Sequence, residues 1–231
     1  MNRVAPLSPT LFDRLRAHLG FKLALAVGLN LGAFAPYFWL QRNPYFPVTF
    51  LPQSQVDVWI GFRPDAVWVY LSLFLLMPVG PMLMEESSQL RRYACGVAAM
   101  SVAADLVFLF WPTAVTRPRG DGANLIYRTL VAWDMPLNAF PSLHAAMAVF
   151  SARCCEQLFQ RADCPGIWRA AVWTWVAAII WAMLATKQHV ALDAVGGILL
   201  GAFAYEGAFR CQAARAMKAG RKRIRTEGWT L

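Results

Sequence analysis

The sequence predicts an all-α integral membrane protein built as a bundle of six transmembrane helices. Of its 231 residues, 58% are hydrophobic and only 15% are charged, whereas soluble domains carry about 25% charged residues. A helix needs about 20 apolar residues to cross a bilayer, and six stretches approach or reach that length. They are Phe21–Leu40, Ala66–Met84, Tyr93–Trp111, Ser142–Phe159, Ile167–Ala185 and Val190–Arg210.

The segments at the ends of these spans carry their own signals. Pro78 and Pro81 interrupt the second span, which a membrane helix tolerates where neighbouring helices satisfy the freed backbone groups. Before the first span, Leu11, Leu15 and Leu19 recur every four residues and predict a short interfacial helix. The expected organisation is an interfacial segment at 1–20, a membrane core at 21–210 and a basic tail at 211–231.

The positions of Lys and Arg predict the orientation of the bundle. Sixteen of the 22 basic residues fall in the N-terminal segment, the second and fourth loops and the tail, and six fall on the opposite side. Cytoplasmic loops are enriched in Lys and Arg, so we expect cytoplasmic termini in an inner or plasma membrane. Anionic lipid head groups then account for the net charge of +9 better than a nucleic acid does.

Two other patterns argue against processing and against a metal site. Ala33-Phe34-Ala35 resembles a signal-peptidase site, but Pro36 would directly follow the cut, so we expect an uncleaved first span. The five cysteines have no metal-ligand spacing, and we expect reduced thiols, no metal and no cofactor.

Two of the three histidines begin hydrophobic helices. His144 ends the segment Phe140-Pro141-Ser142-Leu143-His144, and His189 precedes Asp193 by four residues. That spacing places His189 and Asp193 on one helix face, where the carboxylate can orient the imidazole. In the six-span topology both helices begin on the external side, so the two histidines should share one site. Ionisable side chains at such positions in a membrane protein are functional candidates.

The same end of the bundle is predicted to attract an anion. Two helix N-termini point free N–H groups at one space. Arg117 and Arg119 lie in the long polar loop between Pro112 and Pro141, and Lys187 comes just before His189. Two histidines, a carboxylate and several cations near a membrane surface favour a site for the phosphate of a lipid.

These motifs resemble those of a known family. The segment 140–144 and the His189-x-x-x-Asp193 pattern are similar to the second and third motifs of the type 2 phosphatidic acid phosphatase superfamily. Arg117-Pro118 resembles the end of its first motif. The wider phrases at 134–141 and 188–197 look most like the branch containing inositol phosphorylceramide synthase-like proteins. The resemblance covers about residues 57–201.

Three positions depart from the family pattern. Phe110 and Met183 stand where a Lys and an Arg are usual, and Leu143 stands where a Gly is usual. Arg119 and Lys187 are the local candidates to replace the two missing cations.

The resemblance implies a mechanism that needs no metal. His189 attacks phosphorus to form a phosphohistidine, Asp193 holds its tautomer, and His144 protonates the departing oxygen and then activates the acceptor. The residues expected to bind phosphate are Arg117, Arg119, Ser142 and Lys187, although Ser142 serves equally well as a helix cap. Asp105, farther down the third span, is not expected to be catalytic.

Several functions stay open at this level. The favoured one is a lipid phosphatase acting at the external leaflet on a phospholipid, sphingolipid or prenyl phosphate. Transfer to a lipid alcohol, a metal hydrolase and a non-catalytic lipid-binding or transport protein are alternatives. Gly197 and Gly201 permit close helix contact, either within the bundle or in a dimer, so the oligomeric state is open.

Overall fold

The computed structural model describes residues 10–118 and 123–210. The predicted basic tail 211–231 and the candidate Arg119 therefore lie outside the described residues. Five helical segments in the described part are long and apolar enough to cross a membrane, so the chain is a mostly helical integral membrane protein. These segments are Leu19–Arg42, Pro64–Leu83, Ser87–Phe110, Gly166–Ala185 and Ala191–Phe209.

The elements follow one another in a simple order. The helices are α1 Leu11–Arg16, α2 Leu19–Arg42, α3 Gln55–Ile60, α4 Val67–Leu71, α5 Leu73–Leu76, α6 Val79–Leu83, α7 Ser87–Phe110, α8 Leu125–Trp133, α9 Leu143–Arg161, α10 Gly166–Ala185 and α11 Ala191–Tyr205. Two short strands are β1 Thr49–Phe50 and β2 Thr113–Ala114. A 3₁₀ turn, Pro64–Ala66, leads into α4, and a π-helical turn, Glu206–Arg210, follows α11.

Helix α9 is the centre of the bundle. Eleven of its 19 residues are buried, and it packs against α5, α6, α7, α10 and α11. It corresponds to the predicted span Ser142–Phe159 but is not among the five apolar segments. Arg153 and Glu156 in its second half lower its hydropathy, and they form an ion pair at 2.9 Å. A sixth crossing by α9 stays a prediction.

Two glycines bring α11 onto α9. A Cβ atom at Gly197 would collide with the carbonyl oxygen of Ser142, and one at Gly201 would collide with that of Ala146. The backbone N–H of Ser142 also donates to the carbonyl of Asp193 at 3.0 Å. Close packing inside the bundle therefore explains this glycine pair without a dimer.

The second predicted span is helical but interrupted twice. The break at Pro78 follows from its missing N–H, as the sequence predicts. A second break at Ser72 has no proline signal. The Ser72 hydroxyl donates to the Val69 carbonyl at 2.6 Å and accepts from the Trp175 indole at 2.8 Å. A side chain bonded to its own backbone in this way competes with regular helix geometry.

The two long loops on the histidine side contain structure that the sequence analysis does not predict. Strand β1 pairs in parallel with β2, with Thr49 opposite Thr113. Helix α3 begins with a capping box between Ser54 and Asp57, and the N-cap of α8 is Asn124, whose side chain accepts from the Tyr127 N–H. Such short helices depend on their caps and on a few buried residues, so they carry no long apolar pattern.

One helix boundary also differs from the prediction. Helix α7 begins at Ser87, six residues before the predicted Tyr93. Arg91 and Arg92 end the apolar stretch but not the backbone helix, because both are good helix formers. Helix α1 forms where the sequence predicts a short helix, with a capping box between Thr10 and Asp13, and its interfacial location stays a prediction.

Candidate active site

The first turns of α9 and the end of the loop before α11 place His144 and His189 side by side. His144 Nδ1 lies 3.2 Å from His189 Nε2, and the two ring centroids are 5.3 Å apart. His189 Nδ1 lies 3.0 Å from Asp193 Oδ2. His189 and Asp193 are both buried, at 5% and 0% exposure. Residues 45 positions apart in the chain thus form one continuous row of polar atoms.

The hydrogen bonds fix where the protons lie in the resting site. Ionised Asp193 can only accept, so His189 Nδ1 carries the proton and His189 Nε2 has a free lone pair. His144 Nδ1 must then donate to that lone pair, which leaves His144 Nε2 as an acceptor. These tautomers are assigned from the network of contacts. In this arrangement Asp193 fixes the tautomer and the orientation of the His189 ring.

Tyr70 of α4 completes the row and was missed by the sequence analysis. Its hydroxyl lies 2.6 Å from His144 Nε2, and its ring packs against the imidazole at a centroid distance of 4.9 Å. Tyr70 is only 1% exposed. It sits in the apolar stretch Val67–Leu71, where an aromatic residue is expected in any membrane helix and carries no motif.

Asp57 anchors the loop that carries His189. Its Oδ1 accepts the backbone N–H of Ala191 at 2.9 Å, and its carbonyl accepts from Lys187 Nζ at 2.5 Å. Lys187 itself adopts a left-handed φ of 57°. Burial lowers the pKa of Lys187, while the nearby Asp57 charge acts in the opposite direction. Lys187 therefore lies beside the site, and its ammonium already holds the loop in place.

Arg117 lies in the site region but is paired with Asp134. Its Nη2 is 3.5 Å from Asp134 Oδ2, and its Nη1 donates to the Asp134 carbonyl. Arg117 Nε is buried without a hydrogen-bond partner among the described residues. The charges of Arg117 and Asp134 are both close enough to interact electrostatically with the His144 ring. Burial raises the pKa of Tyr127, and the Arg117 charge opposes that rise. Arg117 is thus a cation within electrostatic reach of the histidine pair.

Asp134 is held in place by a second group of buried side chains. Its Oδ1 accepts from the Tyr37 hydroxyl at 3.0 Å and from Gln41 Nε2 at 2.7 Å. Both partners come from α2 and are buried. Sequence reasoning noted Asp134 only as part of a motif and missed its two partners, which lie more than 90 positions away in the chain.

Two further candidates have clear positions. Ser142 is the N-cap of α9, because its Oγ accepts the Ala145 N–H at 3.2 Å, and it is fully buried. Gln188, just before His189, is 1% exposed, and neither atom of its amide has a partner within residues 10–118 and 123–210. Sequence reasoning quoted Gln188 only within a motif. Its buried amide offers a donor and an acceptor beside the histidine.

The described residues include both histidines of the site, Asp193 and four of the five cysteines. Within those residues, no group of three or more His, Cys, Asp or Glu is arranged to hold a metal ion. The cysteines seen there, Cys95, Cys154, Cys155 and Cys164, are all free thiols.

An apolar cavity of about 270 Å³ runs away from His144 into the bundle. Tyr37 and His144 line one end of it, and Lys22 lines the other. Along α2, the 15 residues from Lys22 to Tyr37 correspond to about 22 Å at 1.5 Å per residue. Besides α2, its walls come from α5, α6, α7 and α9, and the lining side chains are mainly Leu and Met with some Ala, Phe, Pro and Tyr.

Comparison with known proteins identifies the family. A family model described as the PAP2 superfamily matches residues 61–206, which is more than half of the chain. No curated protein and no solved structure gives a significant match. The matched region begins just before α4 and ends just after α11, so it contains Tyr70, both histidines and Asp193. The chain therefore belongs to the PAP2 superfamily, and this membership indicates a phosphatase-type enzyme.

Proposed function

We propose that this protein is a membrane lipid phosphatase that works through a phosphohistidine at His189. The observation that carries the proposal is the hydrogen-bonded row of Asp193, His189 and His144. It leaves the His189 Nε2 lone pair unprotonated and facing the Nδ1–H of a second imidazole 3.2 Å away. A nucleophile oriented by a carboxylate, with an acid–base group beside it, is the arrangement that covalent phosphoryl transfer requires.

The first half-reaction forms the covalent intermediate. The lipid phosphate binds together with one proton, which His144 takes up at Nε2, so that both of its ring nitrogens carry hydrogen. His189 Nε2 attacks phosphorus, the bond between phosphorus and the lipid oxygen breaks, and protonated His144 gives its Nδ1 proton to that oxygen. The lipid alcohol leaves and His189 carries the phosphoryl group. Because Nδ1 and Nε2 are in direct contact at 3.2 Å, the phosphoryl group takes the place of their hydrogen bond.

The second half-reaction restores the enzyme. Neutral His144 accepts a proton from water at Nδ1 while the water oxygen attacks phosphorus. The phosphorus–nitrogen bond breaks, inorganic phosphate leaves together with the Nε2 proton of His144, and His189 Nε2 regains its lone pair. Asp193 holds the His189 Nδ1 proton throughout and stabilises the positive ring of the intermediate.

Phosphate binding is assigned mainly to Arg117. Its side chain has a buried Nε without a partner in the described structure, and a guanidinium can hold two phosphoryl oxygens at once. Ser142, Lys187 and Arg119 are the further candidates from the sequence. In the structure Ser142 caps α9 and Lys187 anchors the loop, so we give them supporting roles.

The apolar cavity supports a lipid as the substrate. A phosphate at the histidine pair leaves the attached hydrocarbon chain next to Leu143 and Met147, which line the cavity. A chain lying there would be removed from water along about 22 Å of helix α2. This favours phospholipids, sphingolipids or prenyl phosphates over small water-soluble esters.

The placement in the membrane follows from the charge pattern. We propose six crossings, made by the five apolar segments and α9 as the fourth in chain order, with cytoplasmic termini and an active site at the external leaflet. In this topology sixteen of the 22 basic residues fall on the cytoplasmic side, opposite the histidine pair, which agrees with the enrichment of Lys and Arg in cytoplasmic loops.

The acceptor defines a second candidate function. Similarity of the segments at 134–141 and 188–197 to the inositol phosphorylceramide synthase-like branch favours transfer to a lipid alcohol. In that case a lipid hydroxyl replaces water in the second half-reaction, and His144 removes its proton. Hydrolysis is the simpler alternative, because water needs no second lipid site.

A trapping experiment tests the proposal. Purified protein in micelles is incubated with ³²P-labelled dodecyl phosphate or a labelled lipid phosphate, with and without a ceramide or diacylglycerol acceptor. We expect an acid-labile, alkali-stable phosphoprotein and released phosphate in the presence of EDTA. A labelled lipid product formed only with acceptor would identify the transferase instead.

The third histidine provides a matched control. His189→Asn should abolish both labelling and turnover, whereas His18→Asn should leave them unchanged. His18 lies between α1 and α2 with a left-handed φ of 53°, which asparagine accommodates. Labelling that persists in His189→Asn, or activity that EDTA removes and zinc restores, would contradict the phosphohistidine mechanism.

A further inference from the structure

We infer that Tyr70 is a positioning residue that keeps His144 Nδ1 directed at phosphorus in both halves of the reaction. The inference rests on the proposed phosphohistidine mechanism and adds a fourth member to its row of residues. Tyr70 OH lies 2.6 Å from His144 Nε2, the ring nitrogen that faces away from His189.

A hydroxyl suits this position because it can both donate and accept. In the resting site Tyr70 donates to His144 Nε2, and the His144 proton sits on Nδ1. When His144 is protonated, both of its nitrogens carry hydrogen and Nε2–H donates to the Tyr70 oxygen. After His144 gives up its Nδ1 proton, that second hydrogen bond remains. The Nδ1 lone pair then faces the incoming water.

Packing makes this contact specific to Tyr70. Its ring lies 4.9 Å from the imidazole and is buried at 1% exposure, so water has little access to replace the hydroxyl. Tyr70→Phe keeps the ring contact and removes only the oxygen. His144 then loses its partner on Nε2, and its ring orientation is held from one side only.

Two substrates with different leaving groups distinguish a positioning role of Tyr70 from a purely structural one. Dodecyl phosphate releases an alkoxide that needs the proton of His144, whereas p-nitrophenyl phosphate releases a stable phenolate that does not. We therefore expect Tyr70→Phe to form the phosphoenzyme from dodecyl phosphate roughly 10- to 100-fold more slowly than wild type. From p-nitrophenyl phosphate the rate should stay within about twofold of wild type.

Rapid-quench trapping of the phosphoenzyme measures both rates. Tyr205→Phe, the same substitution at another buried tyrosine, should leave the ratio of the two rates unchanged. Equal slowing with both substrates, or no slowing with either, would overturn the Tyr70 assignment while the phosphohistidine mechanism stands. If wild-type protein forms no phosphoenzyme from either substrate, the proposed function fails and the Tyr70 role fails with it.

A spectroscopic measurement tests the contact without turnover. The chain has three histidines, so ¹⁵N-histidine labelling in micelles gives few signals to assign. Loss of the hydroxyl should move the Nε2 resonance of His144 while the His18 signals stay in place. An unchanged His144 resonance would overturn the inference even if Tyr70→Phe is too unstable for rate measurements.

Discussion

Replacing Asp193 with asparagine tests how the histidine pair is prepared for attack. Asp193 is fully buried, and its two oxygens accept different hydrogen bonds. Oδ2 accepts from His189 Nδ1 at 3.0 Å, and Oδ1 accepts from the Val190 N–H at 3.0 Å. Asparagine has one oxygen and one NH₂ group that only donates. The variant can therefore keep only one of the two hydrogen bonds.

Each orientation of the asparagine amide has its own predictable effect, one on turnover and the other on stability. If the amide NH₂ faces His189, Nδ1 must accept and the proton moves to Nε2, which removes the attacking lone pair. The comparable wrong tautomer in a Ser-His-Asp triad lowers turnover by about 10⁴-fold, or roughly 5.4 kcal/mol of barrier. If the amide oxygen faces His189 instead, the buried Val190 N–H faces a donor, which costs about 1–3 kcal/mol of stability.

The assay combines phosphate release, phosphoenzyme trapping and thermal unfolding of Asp193→Asn. We expect turnover to fall by about 10³- to 10⁴-fold, as the wrong tautomer dictates. Asp105→Asn is the matched control, since Asp105 lies in α7 and is not expected to be catalytic. Asp193→Asn turnover within tenfold of wild type, together with an unchanged unfolding temperature, would refute the assignment of the His189 tautomer.

Two further predictions address the phosphate site and the helix contact. Arg117→Lys should lower kcat/KM roughly 10- to 100-fold, because one ammonium cannot hold both Asp134 and two phosphoryl oxygens. Lys187→Met should lower it less. The reverse order in steady-state assays would make Lys187 the main phosphate ligand instead. Gly201→Ala should lower the free energy of unfolding by about 1–3 kcal/mol, because its Cβ meets the α9 backbone. Gly28→Ala, which meets nothing within 4 Å, should not lower it, and equal thermal unfolding of the two variants would contradict the close contact.

The parts of the fold that the sequence predicted are those with long apolar patterns or local spacing. The hydropathy of 20-residue stretches located the helices that correspond to α2, α7, α10 and α11 within a few residues. The predicted pairing of His189 with Asp193 is seen, with their side chains 3.0 Å apart. The predicted reason was wrong, because α11 begins only at Ala191 and His189 lies in the loop before it rather than on the helix. The catalytic roles of these residues stay predictions.

Other features depend on contacts between distant segments, which leave no local signal. Tyr70 reaches His144 across 74 positions, and Lys187 reaches Asp57 across 130. The pairing of β1 with β2 involves only two residues in each strand, too few for an alternating pattern. Arg117 was predicted to meet phosphate from its motif, but its ion pair with Asp134 required knowing how the loop folds back.

The hydrogen bond from the Ser142 N–H to the Asp193 carbonyl has a consequence for which parts of the molecule can change without moving the histidine pair. It joins the starts of α9 and α11, so the relative position of His144 and His189 is set by two packed helices. Under the proposed function, the phosphate ligand Arg117 comes from a connecting loop, and the hydrocarbon chain of the lipid lies against Leu143 and Met147 in the cavity. Changes in the cavity walls can therefore alter which lipid is accepted while the spacing of the two histidines is preserved. A search for altered specificity in this scaffold should vary the cavity residues of α2, α5, α6 and α7 and keep the glycines of α11.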